Sequence, residues 1–223
     1  MEWFQPDMEW AQMDLAPELL NNIEKLGWTK PRPIQRLAIA TLRDRSADLI
    51  ATAPTGSGKT GAMLIPIIHY LMRAGRRDKP RGEIQMVDAI IVAPTRQLAT
   101  QIFDVALRLC TNTGIRANVA YGQANSREQI MSIREGTNIL VGTVGRLLDF
   151  IYEGVINTAQ IQFVILDEAD RMLDMGFQEC IECIFHMVPG GRRKTSAFFS
   201  TTFPESVQAI GAEFMNTYAT ISV

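Results

Sequence analysis

Ala53-Pro54-Thr55-Gly56-Ser57-Gly58-Lys59-Thr60 stands between a short β-rich run, 48–53, and an apolar helical pattern carrying Ala62, Met63, Ile65, Ile68 and Leu71. A strand, a glycine-rich turn and a helix, in that order, are the context in which a phosphate-binding loop (P-loop) works. Gly56 and Gly58 let backbone N–H groups converge on phosphate oxygens, while the helix start adds partial positive charge. Lys59 reaches the β- and γ-phosphates, and the Thr60 hydroxyl is placed to ligate Mg²⁺. Ala53 occupies the place of the pattern's first glycine, so the eight residues, Thr55 and Ser57 among them, carry the reading together. The competing reading is a chance Gly/Ser loop. The residues favour a nucleoside triphosphate site.

Such a site needs an acid at the end of a neighbouring buried strand, and Phe163-Val164-Ile165-Leu166-Asp167-Glu168-Ala169-Asp170 supplies it. Asp167 would hold Mg²⁺, directly or through water. Glu168, one residue further along at the strand tip, is placed to orient and deprotonate an attacking water. Acids after a strand can also cap a helix N-terminus, and Asp170 suits that position.

Outward from these two stretches, β-rich runs recur at 48–53, 88–93, 117–121, 138–142, 163–167, 196–200 and 219–223, with helical patterns between most of them. This alternation predicts an α/β fold: a mostly parallel sheet of about seven strands with helices on both faces. Ala89-Ile90-Ile91-Val92-Ala93 and Phe163-Val164-Ile165-Leu166 are apolar without alternation, as strands buried on both sides are. The region 10–42 reads as two short helices interrupted by a proline-stiffened connector at 27–33. Segment 74–82, with two glycines, a proline and five charges, reads as a loop and a weak boundary. One domain fits better than two.

Composition narrows the function classes. The 223 residues are 47% apolar, enough for a packed core, and 22 Lys+Arg against 24 Asp+Glu give a net charge of −2. That balance argues against holding polyanions by bulk basicity, so any nucleic-acid contact must be local. The first thirty residues carry six acids and two bases, net −4, which leaves +2 for the rest. Basic clusters at Arg73, Arg76, Arg77, Lys79 and Arg81, and at Arg192, Arg193 and Lys194, read as solvated loops. Three cysteines make no disulfide framework, and no basic-then-apolar start suggests a secretory signal, so a reducing compartment, cytoplasm or nucleus, is expected. The longest apolar runs fall far short of the ~18 residues of a membrane span, so no membrane association is expected. Cys180, Cys183 and His186 have a spacing that invites zinc, but a fourth ligand is missing nearby and 178–188 has helical apolar spacing. His69, beside Ile67, Ile68 and Tyr70, reads as a core or interface histidine.

Together these features resemble the DEAD-box family of RNA-dependent ATPases, over nearly the whole chain from Trp10 to Val223. The literal Asp-Glu-Ala-Asp at 167–170 is one mark. The family's adenine motif is matched by Gly27-Trp28-Thr29-Lys30-Pro31-Arg32-Pro33-Ile34-Gln35, and its upstream aromatic by Trp10, seventeen residues before Gly27. The resemblance implies that Trp28 stacks on adenine and that Gln35 reads its edge through paired amide hydrogen bonds, with ATP preferred over GTP. Pro94-Thr95-Arg96-Gln97-Leu98, Gly122-Gln123 and Thr143-Val144-Gly145-Arg146 resemble the family's RNA-backbone elements. Each follows a predicted strand and offers hydroxyls, helix-start N–H groups or an arginine, which suits phosphate and sugar contacts and sequence-tolerant binding. Singly, Arg96 and Arg146 could also be surface salt-bridge residues. Ser200-Thr201-Thr202 resembles the Ser-Ala-Thr element that, with Asp170, couples the ATP site to strand separation. The residues flanking it and those at 166–177 look most like the Vasa branch.

Several positions depart from the family pattern. Gln123 replaces a second glycine, Val144 a proline, Thr201 an alanine, Arg32 a small hydroxyl residue and Pro54 a glutamine. A side chain at 123 would intrude where backbone approaches RNA, Val144 would loosen the turn before Gly145, and Thr201 would crowd the coupling element. The family's second RecA-like domain, which supplies an arginine finger, has no counterpart in the sequence, so the expectation is one half of a two-domain protein. That expectation makes 1–223 a first RecA-like domain, with 10–42 as the adenine region and 48–223 as the P-loop core. The implied partners are ATP with Mg²⁺, single-stranded or short duplex RNA, the second RecA-like domain and possible protein partners. The implied location is cytoplasmic, with ribonucleoprotein granules suggested by the Vasa likeness and the nucleus not excluded. The rivals are a helicase-derived protein-binding scaffold with weakened RNA coupling and a DNA-directed or unrelated P-loop ATPase.

Overall fold

The continuous apolar runs form strands whose neighbours run parallel on both sides. A computed structural model describes residues 8–43, 45–76, 79–189 and 194–223. A 3-10 turn, Trp10–Met13, precedes α1 (Pro17–Lys25) and α2 (Pro33–Leu42), each with proline in its first turn, where a missing N–H costs nothing. Then follow β1 (Asp48–Thr52), α3 (Lys59–Arg73), β2 (Gln85–Met86), β3 (Ala89–Ala93), α4 (Arg96–Cys110), β4 (Ala117–Ala120), α5 (Ser126–Arg134), β5 (Ile139–Thr143) and α6 (Val144–Tyr152). The chain continues through β6 (Ile156–Asn157), β7 (Phe163–Asp167), α7 (Ala169–Asp174), α8 (Gln178–Met187), β8 (Thr195–Ser200), α9 (Glu205–Phe214) and β9 (Tyr218–Ser222). The main sheet has seven strands in the order β4-β5-β3-β7-β8-β1-β9, and every pairing in it is parallel.

The two-sided burial follows from the period of two along each strand. Ala89, Ile91 and Ala93 of β3, with Phe163 and Ile165 of β7, pack into one apolar layer. The intervening Ile90, Val92, Val164 and Leu166 pack into the other. The first layer is closed by α1 to α4, through residues such as Leu19, Ile23, Ile39, Ile68 and Ile102. The second is closed by α5 to α9, through Ile133, Leu147, Ile184 and Val207 among others. Thus the early helices cover one face and the later helices the other. The helix that follows the P-loop, α3, has Ala62 to Ile65 and Ile67, Ile68 and Leu71 fully buried, so it is apolar nearly all round.

The seven expected strands all form, with ends displaced by a residue or so. The short pair β2 and β6 was not expected, since two residues in each strand give no periodicity to read; the Gln85 side chain anchors β2 by donating to the Gly82 and Pro80 carbonyls and accepting from the Thr137 N–H. Helix α8 bears out the helical reading of 178–188, burying Ile181, Ile184 and Phe185 and leaving His186 exposed. His69 is buried, as expected, and its Nδ1 accepts the Ala16 N–H at 3.2 Å.

The first basic cluster is not simply a solvated loop. Asp88 is fully buried at the start of β3, and Lys79 (3.3 Å) and Arg76 (3.8 Å) close over it while Asn138 donates to it at 2.9 Å. Burial pushes the Asp88 carboxyl up from its ordinary value, and these partners only partly offset that. Lys194 of the second cluster likewise lies over the Phe185 ring at 4.8 Å. Arg77, Arg192 and Arg193 lie outside the described residues.

Candidate nucleotide and nucleic-acid site

Because the main-sheet strands are parallel, the loops that follow them open on one edge, and the sequence motifs gather there. β1 leads into the P-loop, β3 into Pro94-Thr95-Arg96, β4 into Gly122-Gln123, β5 into Thr143-Val144-Gly145-Arg146, β7 into Asp167 to Asp170 and β8 into Ser200-Thr201-Thr202. Ligands in such sheets bind at the carboxyl ends of the strands.

A cleft of about 440 Å³ opens at this edge. Trp28, Gln35 and Arg32 line one part of it, Gly56, Gly58, Lys59 and Thr60 the floor, and Asp167 and Glu168 the far end. Leu98, Gln101 and Val105 of α4 form a wall that the motifs alone did not indicate. Gly56 (φ 80) and Gly58 (φ 100) both take the left-handed conformation, and nothing lies within 4 Å of where a Cβ on Gly56 would point. Lys59 Nζ donates to the carbonyls of Ala53 at 2.7 Å and Pro54 at 3.2 Å, which holds the amine along the loop. The Ser57 hydroxyl is buried in the loop with no protein partner. Left-handed glycines, a lysine and a hydroxyl awaiting an acceptor or donor are the chemistry a phosphate group requires.

Gln35 is buried, and its amide is oriented by the protein itself. Its Oε1 accepts the Arg32 N–H at 2.8 Å, and its Nε2 donates to the Gly58 carbonyl at 3.3 Å. Each end of the amide retains one further hydrogen-bonding position, so paired contacts with a base edge remain available. Trp28 and Gln35 press against the start of α3 so closely that a Cβ on Gly61 would lie 2.6 Å from Gln35 Nε2 and 2.7 Å from Trp28 Cζ3. Trp10 is buried in the first apolar layer rather than lining the cleft, and its 3-10 turn packs beside α2, where Arg43 donates to the Met13 carbonyl.

At the far end Asp167 is buried, and its carboxyl is pushed up to about 7 by burial, with Lys59 pulling the other way. A buried carboxylate and a threonine hydroxyl lining the same cleft are an oxygen donor set that suits Mg²⁺, since a divalent cation offsets the charge that burial disfavours. Asp167 and Thr60 therefore fit the metal the sequence implied. Glu168 sits at φ 53, an uncommon conformation for a non-glycine residue that concentrates at functional sites. Its carboxylate is steadied by Arg171 at 3.0 Å.

Asp170, Ser200 and Thr202 are brought together as expected. Ser200 Oγ accepts the Asp170 N–H at 3.0 Å, and Asp170 Oδ2 accepts from the Thr202 hydroxyl at 2.8 Å and N–H at 2.9 Å. Burial works against the charge on Asp170, but donors from Thr201, Thr202 and the Arg171 N–H outweigh it and hold the carboxyl well below the usual carboxylate range. Thr201 does not crowd this element: it is exposed, and its hydroxyl adds a fourth donor to the same oxygen at 2.8 Å, beside its N–H at 3.2 Å.

The second cluster, along β3, β4 and β5, is linked by a residue the sequence reading missed. Gln129 of α5 accepts the Tyr121 N–H at 3.2 Å, donates to the Tyr121 carbonyl at 3.1 Å and accepts from Arg146 at 3.3 Å. Arg96 stacks over the Tyr121 ring at 4.6 Å, so Arg96, Tyr121, Gln129 and Arg146 form one connected group. Arg146 also lies 3.7 Å from Asp149 and over Phe150, whereas Arg96 is exposed. Pro94 is buried, and Thr95 caps α4 by accepting the Leu98 N–H at 3.2 Å. Gly122 and Gly145 have open space where a Cβ would point. Gln123 keeps a left-handed backbone (φ 59) with its side chain exposed, so the glycine-like turn survives the substitution at a cost in strain. Val144 is the first residue of α6 and is buried, so burial anchors the turn that proline's fixed φ would otherwise favour.

Residues 32–210 match the DEAD/DEAH box helicase family. The chain belongs to that family. A vasa-like probable ATP-dependent RNA helicase of Penaeus vannamei is 39% identical over 226 residues, covering 100% of this chain and 32% of the relative. The probable ATP-dependent RNA helicase DDX4 of Bos taurus is 41% identical over 212 residues, covering 93% of this chain and 29% of its own length. These relatives agree with the Vasa-branch resemblance in the sequence. The crystal structure of a DEAD box protein from the hyperthermophile Methanococcus jannaschii superposes with a TM-score of 0.85 at 33% identity, covering 96% of this chain and 56% of the other. The chain thus spans about a third of the curated relatives it matches. Among the described residues of this DEAD-box chain, no helix is long and apolar enough to cross a membrane.

Proposed function

We propose that this chain is the ATP-binding half of an ATP-dependent RNA helicase, the first of two RecA-like domains, with 10–42 holding adenine and 48–223 the phosphates and RNA backbone. One observation carries the reading: a single cleft joins Trp28 and Gln35 to the P-loop and to Asp167 and Glu168. In that cleft Trp28 and Gln35 bind and orient the base, and Gly56, Ser57, Gly58 and Lys59 hold the triphosphate. Thr60 and Asp167 would hold Mg²⁺, which supplies neutralisation of charge on the β- and γ-phosphates. Glu168 orients the attacking water and takes its proton as the new oxygen–phosphorus bond forms and the bond to the leaving β-phosphate oxygen breaks.

Asp170 joins the end of β7 to Ser200, Thr201 and Thr202 after β8, so a shift at the γ-phosphate end reaches the coupling element through a charge-assisted cluster. Arg96, Gly122, Gln123, Thr143, Gly145 and Arg146 contact RNA through its backbone, which makes binding sequence-tolerant. A second domain would add an arginine finger, a group worth about 10³ to 10⁵ in rate, so the 223-residue chain alone is expected to bind nucleotide weakly and turn it over negligibly. The cytoplasmic location implied by Vasa-like kinship goes with this reading.

The test is ATPase rate on the full-length protein with single-stranded RNA, with single-stranded DNA and with neither, beside Glu168→Gln. RNA stimulation lost in the variant supports the proposal. Equal stimulation by DNA would move it to a DNA-directed ATPase, and a rate flat in all three would move it to a nucleotide-regulated scaffold.

A further inference from the structure

Arg32 is exposed, yet its side chain folds back onto the protein. It runs along the P-loop: its Cδ lies 3.0 Å from where a Cβ on Gly58 would sit, and its guanidinium donates to the Gly56 carbonyl. It lines the same cleft as Lys59. The backbone at Arg32 is fixed as the residue before α2, with its N–H on Gln35 and its carbonyl accepting from the Gln35 and Arg36 N–H groups, so the side chain starts from a rigid point. Arg32 therefore lies between the residues that face the base, Trp28 and Gln35, and the glycines that face the phosphates.

Three cations, Lys30, Arg32 and Lys59, and two carboxylates, Asp167 and Glu168, line the cleft. With Arg32 the cations of the cleft outnumber its carboxylates. A guanidinium carries five N–H donors in a planar fork suited to phosphate oxygens, and one contact to the Gly56 carbonyl leaves most of them available.

We propose that Arg32 is a further nucleotide-binding residue, a second side-chain cation for the polyphosphate chain of a nucleoside di- or triphosphate. The inference rests on the nucleotide reading of this cleft and deepens it. Arg32 contributes charge-assisted hydrogen bonds to phosphate and none to the base, and because it is exposed its contribution is moderate and screened by salt.

The experiment is equilibrium binding of ADP and of adenosine, with Mg²⁺, to the chain and to its Arg32→Thr and Arg32→Lys variants at low and high salt. Melting temperature is followed for each to confirm folding. Arg32→Thr is expected to weaken ADP binding about threefold to tenfold, to leave adenosine binding within twofold, and to flatten the salt dependence of ADP binding. Arg32→Lys, which keeps the charge without the fork, should retain most of the affinity. ADP binding by Arg32→Thr as tight as or tighter than that of the unsubstituted chain would overturn the assignment, as would equal losses for ADP and adenosine. If the unsubstituted chain binds ADP no better than a Lys59→Ala variant does, the nucleotide reading itself fails and Arg32 falls with it.

Discussion

Replacing Asp167 by asparagine should make the protein more stable. The carboxyl is buried at the end of a central strand, and burial, only partly offset by Lys59, pushes it from 3.8 up to about 7. An acid raised in the folded state contributes stability that is fully present below its unfolded value and is lost as the pH rises through the folded value. The window here runs from about pH 4 to about pH 7. A shift of roughly three units at about 1.4 kcal/mol each places the cost of the charged form near 4 kcal/mol at neutral pH and above. Asparagine keeps an acceptor for the Glu168 N–H, which lies 3.1 Å from Asp167 Oδ1, and cannot ionise. Urea denaturation and thermal melts at pH 4.5, 6, 7 and 8, in chelator and without nucleotide, should show Asp167→Asn close to the parent at pH 4.5. At pH 8 it should be more stable by several kcal/mol, a rise in Tm on the order of 10 °C for a chain of this size. A variant less stable than the parent at pH 8, or a parent whose stability is flat between pH 4.5 and 7, would refute the argument that burial dominates at this carboxylate.

Three other perturbations follow from contacts in the structure. Gly61→Ala places a methyl 2.6 to 2.7 Å from Gln35 and Trp28, so both must retreat; helix propensity gains about 1 kcal/mol, overpacking costs about 1–3, and nucleotide affinity should fall at least fivefold in a titration. Gln129→Ala removes the three bonds that tie the Tyr121 loop to Arg146, and should cost about 1–3 kcal/mol in denaturation and weaken RNA binding several-fold in the full-length protein without changing ADP affinity. Thr201→Ala alone should cost less than about 1 kcal/mol, because Thr202 still donates to Asp170. The Thr201→Ala/Thr202→Ala double variant should cost more than the sum of the singles, as a double-mutant cycle would show.

The seven-strand sheet was legible because its strands are doubly buried and announce themselves as uninterrupted apolar runs. The P-loop and the acids after β7 were legible because their chemistry demands particular residues at fixed spacing. What escaped notice depends on contacts between residues distant in sequence. Nothing local marks Gln129 as the link between Tyr121 and Arg146, and nothing local marks Arg76 and Lys79 as the closure over Asp88, which is why a buried ion-pair group read as a solvated loop. Thr201 shows how a substitution can be misjudged from volume alone, since its extra atoms meet a carboxylate rather than a wall.

The bonds that fix the Gln35 amide have a consequence for which purine the cleft can accept. A free glutamine side chain can turn its amide over and offer oxygen or nitrogen to whatever edge arrives. Here the Arg32 N–H and the Gly58 carbonyl have already chosen, one holding the oxygen and the other the nitrogen. An adenine edge, with an amino donor beside a ring-nitrogen acceptor, matches an amide presented in that sense. Guanine carries a carbonyl in place of the amino group and would set oxygen against oxygen. To relieve that clash the amide would have to invert, breaking contacts with the start of α2 and with the phosphate loop at once, so under the proposed nucleotide reading the polypeptide's own hydrogen bonds would disfavour the wrong base.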